Sequence, residues 1–501
     1  MSPTYTLIRG GRLVDLDAHT APPTDILIEG DTILELGEPG LAAPAEATVV
    51  DASGMLLHPG LINGHTHGPG NLAKGLGERM SLELLLTAGP WMGGGRETED
   101  KYLTTLIGAV EMLSKGCTAC YDLSYEFPAP TVEGMAASAK AYEDAGMRAV
   151  LAPMVADISF FDAIPGLRDA LPANLQRAVE SYRLAPTELI LTRIREVVQG
   201  WRADREMVRP AVAPTIPHHC SEAFLAGCRD IAREHGLGLH SHVGESKVQA
   251  VVGRKLYGST LLQHMDRMGL VGPDFTVAHG VWLDDEDMRR LAHHGASVSH
   301  NPGSNALLGS GIADARRMLE LGVNLAIGTD GASCSDNQNM YEAMRMASYM
   351  SHVRGPDVDR WLRTGEILKA ATQGSAKALG FEKLGRIAPG YKADIVFVDL
   401  ATINWIPLND PVNQLVHTED GTGVHSVMVG GRFRYQDRGP VGIDLAKLQA
   451  DAERARERLE RTNRQHRALF DQLAPVVGSF CPALAREPYH VHRYGAPAHT
   501  H

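Results

Sequence analysis

Apolar and polar residues alternate in the first sixty residues of the chain, and the same alternation returns near its other end. The early stretches are TYTLIRGGRLVD, TDILIEGDTILELG and ATVVDASGMLLHPG. The later stretches are KADIVFVDL at 392–400 and HSVMVGGRFRYQDRG at 425–439. A period of two is typical of half-buried β-strands, and the glycines and aspartates between the stretches are typical of turns. The pattern predicts a small β-sandwich domain that combines residues 1–58 with residues 386–440.

The middle of the chain, residues 59–385, has a different rhythm. Short apolar runs recur there, and helical spacing follows each of them, as in TTLIGAVEMLSK. The strand-like runs are GLINGHTH, CTACYDL, MRAVLAPM, RPAVAPT, LGLHSHV, FTVAHGV, ASVSHNP and VNLAIGTD. About eight strand–helix units are the number that closes into a (β/α)8 barrel of the TIM type. Other α/β topologies remain compatible with the pattern. However, no GxGxxG motif opens a helix after a strand, so a dinucleotide-binding fold has no support.

The last part of the chain, residues 441–501, is predicted to form a helix and a tail. Residues 444–474 carry many opposite charges four positions apart and few apolar residues, which indicates a solvated helix or a contact between subunits. The sequence ends HVHRYGAPAHTH, which contains His490, His492, His499 and His501. We expect this tail to be disordered or loosely docked, with adventitious metal binding as the alternative.

Composition and charge narrow the class of protein. The chain has 501 residues, of which 44% are hydrophobic and 22% charged, as in a globular protein with a large core. Its formal net charge of −12 argues against a general nucleic-acid or anionic-membrane binder, because both need clustered positive charge. No segment approaches the roughly 20 apolar residues that span a bilayer, and the N-terminus lacks the pattern of a secretory signal. We therefore expect a cytoplasmic protein with neither nucleic-acid nor membrane partners.

Six cysteines are scattered along the chain, which is not the pattern of a disulfide-stabilised scaffold. Cys117 and Cys120 have the spacing of a CxxC motif, but they lie in GCTACYDL, which is predicted to be a strand. An odd separation in a strand directs the two thiols to opposite faces. We interpret both cysteines as core residues rather than as a redox or zinc site.

Side chains that can bind a metal stand at the C-terminal ends of several predicted strands, the face on which barrel enzymes build their sites. His65 and His67 are two apart, so in a strand they point to the same side and can clamp a cation. The other strand ends carry His240, His242, Glu245, His279, His300 and Asp330. Singly, each has a structural explanation, such as a hydrogen-bonded histidine or a turn at TDG. Together they predict one site for a single metal ion.

Six motifs in the sequence are similar to those of the amidohydrolase superfamily. They are PGLINGHTH (59–67), HVGES (242–246), AHGVWL (278–283), SHNPGSNALLGSG (299–311), GTDGAS (328–333) and GRIAPGYKADIVFVDL (385–400). The resemblance is to the branch with one metal ion and no carboxylated lysine. That branch includes adenosylhomocysteine and methylthioadenosine deaminases, cytosine deaminase and the s-triazine hydrolases. The resemblance covers nearly the whole chain up to about residue 440, and it implies hydrolytic attack on an sp2 carbon.

The resemblance also implies roles for individual residues. The implied ligands of one divalent metal ion per subunit are His65, His67, His242 and Asp330. Glu245 is implied as the acid/base, and His279 as the group that touches the attacking water or the oxyanion. Such a metal site can lower the pKa of water to about 7, and Asp330 is expected to accept the remaining proton of that water. The ligand set suits zinc, and iron(II) or manganese also fit it.

The implied reaction is the removal of ammonia or an amine from a nitrogen-rich heterocycle. A dehalogenating, ring-opening or linear-amide hydrolase on the same site is the alternative within the enzymes. A binding protein that has lost activity is the alternative from another class, and the intact set of six residues argues against it. The expected partner is a small-molecule substrate. Oligomers are common in this family and the charged C-terminal helix offers a surface, so we also expect a homodimer.

Two segments depart from the pattern of the nucleoside deaminases in this branch. Where those enzymes have a substrate-binding histidine, the segment PTIPHHCS (214–221) has Thr215, followed by two histidines. The loop after the first barrel strand contains three successive glycines at 93–95, which predicts a flexible lid and a smaller or flatter substrate than a nucleoside. The candidates for substrate binding are Trp91, Thr215, His218, His300 and Asn305. Packing for Trp91 and loop capping for His218 remain open as structural alternatives.

Overall fold

The computed structural model describes residues 4–335 and 337–495. Its strands, in chain order, are β1 (Tyr5–Leu13), β2 (Pro23–Glu29), β3 (Thr32–Gly37), β4 (Thr48–Asp51), β5 (Met55–Pro59), β6 (Leu61–Thr66), β7 (Cys117–Tyr125), β8 (Arg148–Val155), β9 (Val208–Pro210), β10 (Ala213–Pro214), β11 (Leu239–Val243), β12 (Phe275–His279), β13 (Ser297–His300), β14 (Asn324–Ile327), β15 (Ile395–Asp399), β16 (Val424–Val429), β17 (Arg432–Gln436) and β18 (Gly439–Pro440). Strands therefore dominate both ends of the sheet-forming part of the chain, and they alternate with helices between those ends.

The helices cover the middle of the chain and its C-terminal part. They are α1 (Leu82–Gly93), α2 (Thr98–Ser114), α3 (Val132–Ala145), α4 (Phe160–Ala163), α5 (Leu167–Ala170), α6 (Ala173–Val179), α7 (Thr187–Gln199), α8 (Glu222–His235), α9 (Lys247–Tyr257), α10 (Leu261–Arg267), α11 (Asp285–His294), α12 (Pro302–Leu307), α13 (Ala315–Glu320), α14 (Met340–His352), α15 (Thr364–Lys369), α16 (Ser375–Ala378), α17 (Pro411–His417), α18 (Leu445–Thr462) and α19 (Arg464–Ala485). Most of the long helices in the middle of the chain follow a barrel strand, as the apolar spacing predicts.

Strands from both ends of the chain share one sheet of nine strands. Their order is β18-β17-β16-β15-β5-β1-β2-β3, and β4 pairs with β1. β5 and β15 are antiparallel, with Pro59 opposite Ile395. A cluster of buried side chains from both groups of strands, including Ile8, Ile26 and Phe397, packs on this sheet. The two β-rich ends that the sequence pattern predicts are therefore hydrogen-bonded to each other.

The strands β6 to β14 form the predicted (β/α)8 barrel. In one half, β6, β7, β8 and β10 are neighbours with β9 beside β8, and in the other β11, β12, β13 and β14 follow one another. A parallel bridge between Val212 and Leu239 joins the halves on one side. On the other side the N–H of Asp330 donates to the carbonyl of His65 at 2.9 Å. Every residue of β6 is buried, because helices and neighbouring strands cover both faces of a parallel barrel strand.

The cysteines lie in the interior of the protein. All six, each within the described residues, are buried free thiols. Cys117 and Cys120 lie in β7, and burial raises the pKa of both thiols. The interpretation of this pair as core residues is confirmed.

The C-terminal part differs from its prediction. Instead of one solvated helix over 444–474 it forms α18 and α19, which meet at Asn463. The apolar side of α19 packs with α4, α5, α6 and α9. Its buried residues in that cluster are Leu473, Val477, Cys481 and Leu484. The number of charged residues did not indicate this apolar side, because its residues recur every three or four positions and extend beyond residue 474. By length and composition alone α19 could also cross a membrane, which the sequence expectation had excluded.

The segment after α19 is docked on the barrel over its described part, rather than loose. Arg493 is only 7% exposed. Its guanidinium donates to the carbonyls of Val281 (2.9 Å) and Leu283 (2.6 Å), which follow β12. Two of the four tail histidines, His499 and His501, lie outside the described residues.

Candidate active site

The four expected metal ligands meet at the C-terminal ends of the barrel strands. His65 and His67 stand at the end of β6, His242 lies in β11, and Asp330 follows β14. Oδ1 of Asp330 is 3.5 Å from Nε2 of His65 and 3.3 Å from Nε2 of His67. The Nε2 atoms of His67 and His242 are 3.2 Å apart. The closed barrel thus brings together side chains that are far apart in the sequence.

Backbone carbonyls fix the orientation of two of these imidazole rings. Nδ1–H of His67 donates to the Leu123 carbonyl and Nδ1–H of His242 to the Thr215 carbonyl, each at 2.8 Å. When both rings are neutral, as metal ligands must be, a proton at Nδ1 leaves a lone pair at Nε2, so the two Nε2 atoms that face each other are both acceptors. Neither ring nitrogen of the buried His65 has a hydrogen-bond partner among the described residues. Buried acceptors without donors are costly unless a cation lies between them, so this donor set fits a divalent metal ion.

Asp330 is held by hydrogen bonds that leave its carboxylate directed at the histidines. Ser304 Oγ donates to Oδ2 at 2.6 Å, and the N–H of Gly331 donates to Oδ1 at 2.7 Å. Burial acts to raise the pKa of Asp330, but the imidazoles of His65 and His67 hold the pKa of this carboxyl well below its usual value. Asp330 is therefore an ionised carboxylate, as a metal ligand must be.

Glu245 and His279 lie beside the ligand cluster. Nε2 of His279 is 3.7 Å from Oε2 of Glu245 and 3.8 Å from Oδ2 of Asp330. Nδ1–H of His279 donates to Oδ1 of Asn305 at 2.9 Å, which fixes the tautomer and turns Nε2 towards the two carboxylates. Both His279 and Asp330 have positive φ angles, 70° and 65°, a strained conformation that clusters at functional sites.

A third buried carboxylate beside the site, Glu83, is not indicated by the sequence pattern. It lies in the first turn of α1 and is 5% exposed. Ser81 Oγ donates to one of its oxygens (2.9 Å) and Ser246 Oγ to the other (2.7 Å). Burial raises the pKa of Glu245 well above its usual value, and the negative charges of Asp330 and Glu83 add to this shift. A glutamate after a serine N-cap has the pattern of ordinary helix capping, so the sequence carries no signal that singles out Glu83.

A cavity of about 640 Å³ lies against this group of residues. His67, His242, Glu245 and Asp330 all line it. Much of its wall is apolar, formed by Leu82, Leu85, Leu86, Met92, Met154, Ile158, Phe160, Leu184, Ile216 and Leu308. A largely apolar cavity with a few converging polar groups is the usual form of a small-molecule site.

The structure distributes the five substrate-binding candidates among different roles. Thr215 lines the cavity, and its carbonyl also orients His242. Asn305 orients His279 instead. Trp91 packs on Phe470 of α19, with the ring centroids 5.5 Å apart, and the cavity wall is formed by its neighbours Pro90 and Met92.

The two remaining candidates, His218 and His300, are buried away from the cavity wall. His219 takes a place in the wall where the sequence reasoning favoured His218, because the short turn Pro217–His219 directs these neighbouring rings differently, 90° apart. His300 is 2% exposed in β13, and burial lowers its pKa to about 4.

The glycine cluster allows close packing rather than providing the expected flexible lid. A Cβ on Gly93 would lie 1.5 Å from the Tyr125 hydroxyl, and a Cβ on Gly94 would lie 2.3 Å from the Pro90 carbonyl oxygen. Asn463 Nδ2 donates to the carbonyl of Gly94 at 2.8 Å and so ties this segment to the C-terminal helices. The segment is a roof of the cavity that is fixed in place.

The sequence of the chain is similar to those of a known protein family. The model of the amidohydrolase family matches residues 56–434. The 5'-deoxyadenosine deaminase of Methanosarcina mazei is 32% identical over 448 residues, which cover 89% of this chain and 96% of that protein. The 5-methylthioadenosine/S-adenosylhomocysteine deaminase of Pyrococcus furiosus is 34% identical over 433 residues, covering 85% and 94% respectively.

Solved structures are similar over the same extent. An adenosine deaminase from Xanthomonas campestris with bound zinc has a TM-score of 0.79 and 27% identity, covering 91% of this chain and 98% of its own. The zinc complex of an atrazine chlorohydrolase from Arthrobacter aurescens has a TM-score of 0.80 and 24% identity, covering 90% and 100%. At that identity, the second likeness supports the fold alone.

Proposed function

From the premise that the chain belongs to the amidohydrolase family, we propose that it is a zinc-dependent deaminase of adenosine-type nucleosides. The family and the similar proteins make the chain a hydrolase of carbon–nitrogen bonds, with deamination of a nitrogen-rich heterocycle as its reaction. The observation that carries the proposal is the position of Glu245 and His279 beside Asp330, at the end of the cavity that holds the ligand cluster.

The proposed ligands are His65, His67, His242 and Asp330. A divalent cation bound there supplies a nucleophilic water at neutral pH, because it lowers the pKa of that water to about 7. Zinc is proposed because its borderline character suits three imidazoles and one carboxylate, and because the similar adenosine deaminase structure contains it. Iron(II) and manganese also suit these ligands.

Three side chains are proposed to act on the attacking water: His279 orients it, and Glu245 and Asp330 move its protons. Burial lowers the pKa of His279, so its ring is neutral, and Nδ1–H on Asn305 leaves the Nε2 lone pair to orient the attacking water. Glu245, whose pKa is raised, can take a proton from that water and pass it to a ring nitrogen of the substrate. Asp330 accepts the second proton of the water and passes it to the amino group, so that the C–N bond breaks and the group leaves as ammonia.

Two observations support the proposed substrate class. A cavity of about 640 Å³ offers more room than a bare heterocycle uses, so the earlier expectation of a small flat substrate is less favoured. Two similar proteins are named as deaminases of 5'-deoxyadenosine and of 5-methylthioadenosine or S-adenosylhomocysteine. Dehalogenation remains the second candidate, and the largely apolar cavity wall is the observation that favours it.

Further proposals concern assembly, location and domain division. A homodimer is proposed because the charged face of α18 is exposed, and a cytoplasmic location because all six thiols are free. The division into 1–58 with 386–440, 59–385 and 441–501 is proposed from the shared sheet, the barrel and the two C-terminal helices.

The test is an ammonia-release assay on metal-analysed protein. The panel contains adenosine, 5'-deoxyadenosine, methylthioadenosine, cytosine, guanine and a chlorotriazine. Ammonia from the adenosines, with the inosine product identified by mass, is the expected result. Chloride release from the triazine without ammonia release from any nucleoside would overturn the proposal.

A further inference from the structure

The C-terminal helix α19 forms part of the active-site cavity although it lies outside the family match, which ends at residue 434. His466, in the first turn of α19, lines the cavity. So does Tyr182, which stands on the segment that follows β8 and α6. The Tyr182 hydroxyl and Nδ1 of His466 are 3.1 Å apart and share a hydrogen bond. Two elements from distant parts of the chain thus meet across the cavity.

The start of α19 is fixed to the roof of the cavity by contacts of several kinds. Asn463, just before the helix, donates to the Gly94 carbonyl. The Arg467 guanidinium lies 4.0 Å from the ring centroid of Trp91, a cation–π distance. Phe470 packs in one apolar cluster with residues of α1. The position of His466 therefore follows from the fold and does not depend on a mobile surface helix.

The pair lies on a more exposed part of the cavity wall than the ligand cluster. Both His466 and Tyr182 are partly exposed, whereas His65 and Asp330 are at most 2% exposed. The cavity wall also includes Phe127, which is 54% exposed. A substrate that presents its reacting carbon to Glu245 would direct its remote part towards the Tyr182–His466 pair.

The hydrogen-bonding capacity of the pair indicates what it recognises. Either the Tyr182 hydroxyl donates to Nδ1 of His466, or Nδ1–H donates to the hydroxyl oxygen. In both cases the pair keeps one donor and one acceptor for a ligand. Among the described residues, the hydrogen bond of the His466 ring is the one to Tyr182 through Nδ1. A hydroxyl group, which is itself both donor and acceptor, matches this set.

We propose that His466 and Tyr182 form a subsite for a hydroxyl group on the part of the substrate remote from the hydrolysed bond. This inference rests on the proposed function and adds a specificity-determining pair, of which His466 lies outside the family match and Tyr182 lies within it. It predicts that the two residues control discrimination between substrates that differ by one hydroxyl, and leave the chemical step itself unchanged.

The experiment compares adenosine with its 2'-deoxy, 3'-deoxy and 5'-deoxy analogues on wild type, His466→Ala and Tyr182→Phe. For adenosine both variants are expected to lose about fivefold in kcat/KM, mostly through KM, as for one lost hydrogen bond. For one of the deoxy analogues the same substitutions should change kcat/KM by less than a factor of about two, because the recognised hydroxyl is already missing.

Gln465→Ala is the matched control, since Gln465 is exposed on the same turn of α19. It should leave all four kcat/KM values within a factor of about two of wild type, the range of a neutral surface change. An equal loss on all four substrates, or no loss on any, would overturn the inference while leaving the proposed deamination intact. Wild-type protein that deaminates none of the four would instead overturn the proposed function and, with it, the subsite.

Discussion

Oε2 of Glu245 lies 3.7 Å from Nε2 of His279, and both side chains are at most 2% exposed. Gln249 Nε2 donates to the same carboxylate at 3.4 Å, and the N–H of Glu245 donates back to Gln249 Oε1 at 3.1 Å. The carboxyl group is thus held between a helix turn and an imidazole, at the edge of the ligand cluster. This relationship gives the first prediction.

Glu245→Gln should abolish turnover while the protein stays folded and keeps its metal. The amide has nearly the same shape but cannot accept and return a proton, so kcat should fall by about 10² to 10⁴. The measurements are ammonia release, metal content and melting temperature. The control is Gln249→Ala, which removes only the hydrogen bond to Glu245 and should lower kcat far less. Gln249→Glu is unsuitable because it adds a charge. Near-wild-type activity of Glu245→Gln would remove this residue from the mechanism.

Asn305 should act by orienting His279. Asn305→Ala leaves Nδ1–H of His279 without its acceptor, so kcat should fall by roughly tenfold, as when a ring-orienting partner of this kind is lost. Asn305→Asp keeps an acceptor and adds a negative charge, which raises the pKa of His279. Since the neutral ring is the active form, the acid limb of the pH–rate profile should move to higher pH in Asn305→Asp. Identical pH profiles in the two variants would contradict an orienting role.

Removing the metal should destabilise the fold. Without a cation, the facing Nε2 acceptors of His67 and His242, 3.2 Å apart, lose their shared partner. A metal present at about 1,000 times its Kd contributes about 4 kcal/mol of stability. Scanning fluorimetry with and without a chelator should show a lower melting temperature in the chelator and recovery on adding zinc. In His242→Ala the chelator should have a much smaller effect, and an equal effect in both proteins would argue against this ligand set.

His58 should make stability depend on pH, far from the catalytic cluster. It is fully buried between the Pro59 carbonyl and the Tyr341 hydroxyl, and burial lowers its pKa from 6.5 to about 4. The pKa of His58 is lower in the folded state than in the unfolded state. The contribution of neutral His58 to the free energy of unfolding is therefore complete above pH 6.5 and is lost as pH falls towards 4. The loss amounts to roughly 3 kcal/mol.

The measurement is the free energy of unfolding of wild type and His58→Gln at several pH values. The wild type should lose more stability than the variant between pH 6.5 and pH 4. Other buried histidines titrate in both proteins, so only the difference between the two curves reports on His58. Parallel curves would show that His58 does not carry this dependence.

The barrel and the meeting of the candidate site residues at its rim could be predicted from the sequence, because two periodic signals coincide there. Buried strands produce apolar runs, and the residues that follow them necessarily share one rim. His65, His242 and Asp330 could be placed together on that basis before any coordinates. The shared sheet followed from the same alternation at both ends of the chain.

The remaining wall of the cavity could not be predicted, because its residues lack a sequence signal. Glu83 has the sequence pattern of ordinary helix capping. Trp91 could stack on a ligand by its residue type, but it packs on Phe470. His466 lies in a segment whose charges indicated solvent exposure. Which of His218 and His219 faces the cavity depends on a short turn whose geometry no periodicity encodes.

The pairing of β5 with β15 has a consequence for biosynthesis. Pro59 is opposite Ile395, so β5 lacks its neighbour on this side until nearly four-fifths of the chain has left the ribosome. Until then β5 has an open edge that can pair wrongly with another nascent chain. Maturation of the enzyme should therefore be limited by closure of this long loop, and slower elongation or a holding chaperone during synthesis should raise the yield of active protein.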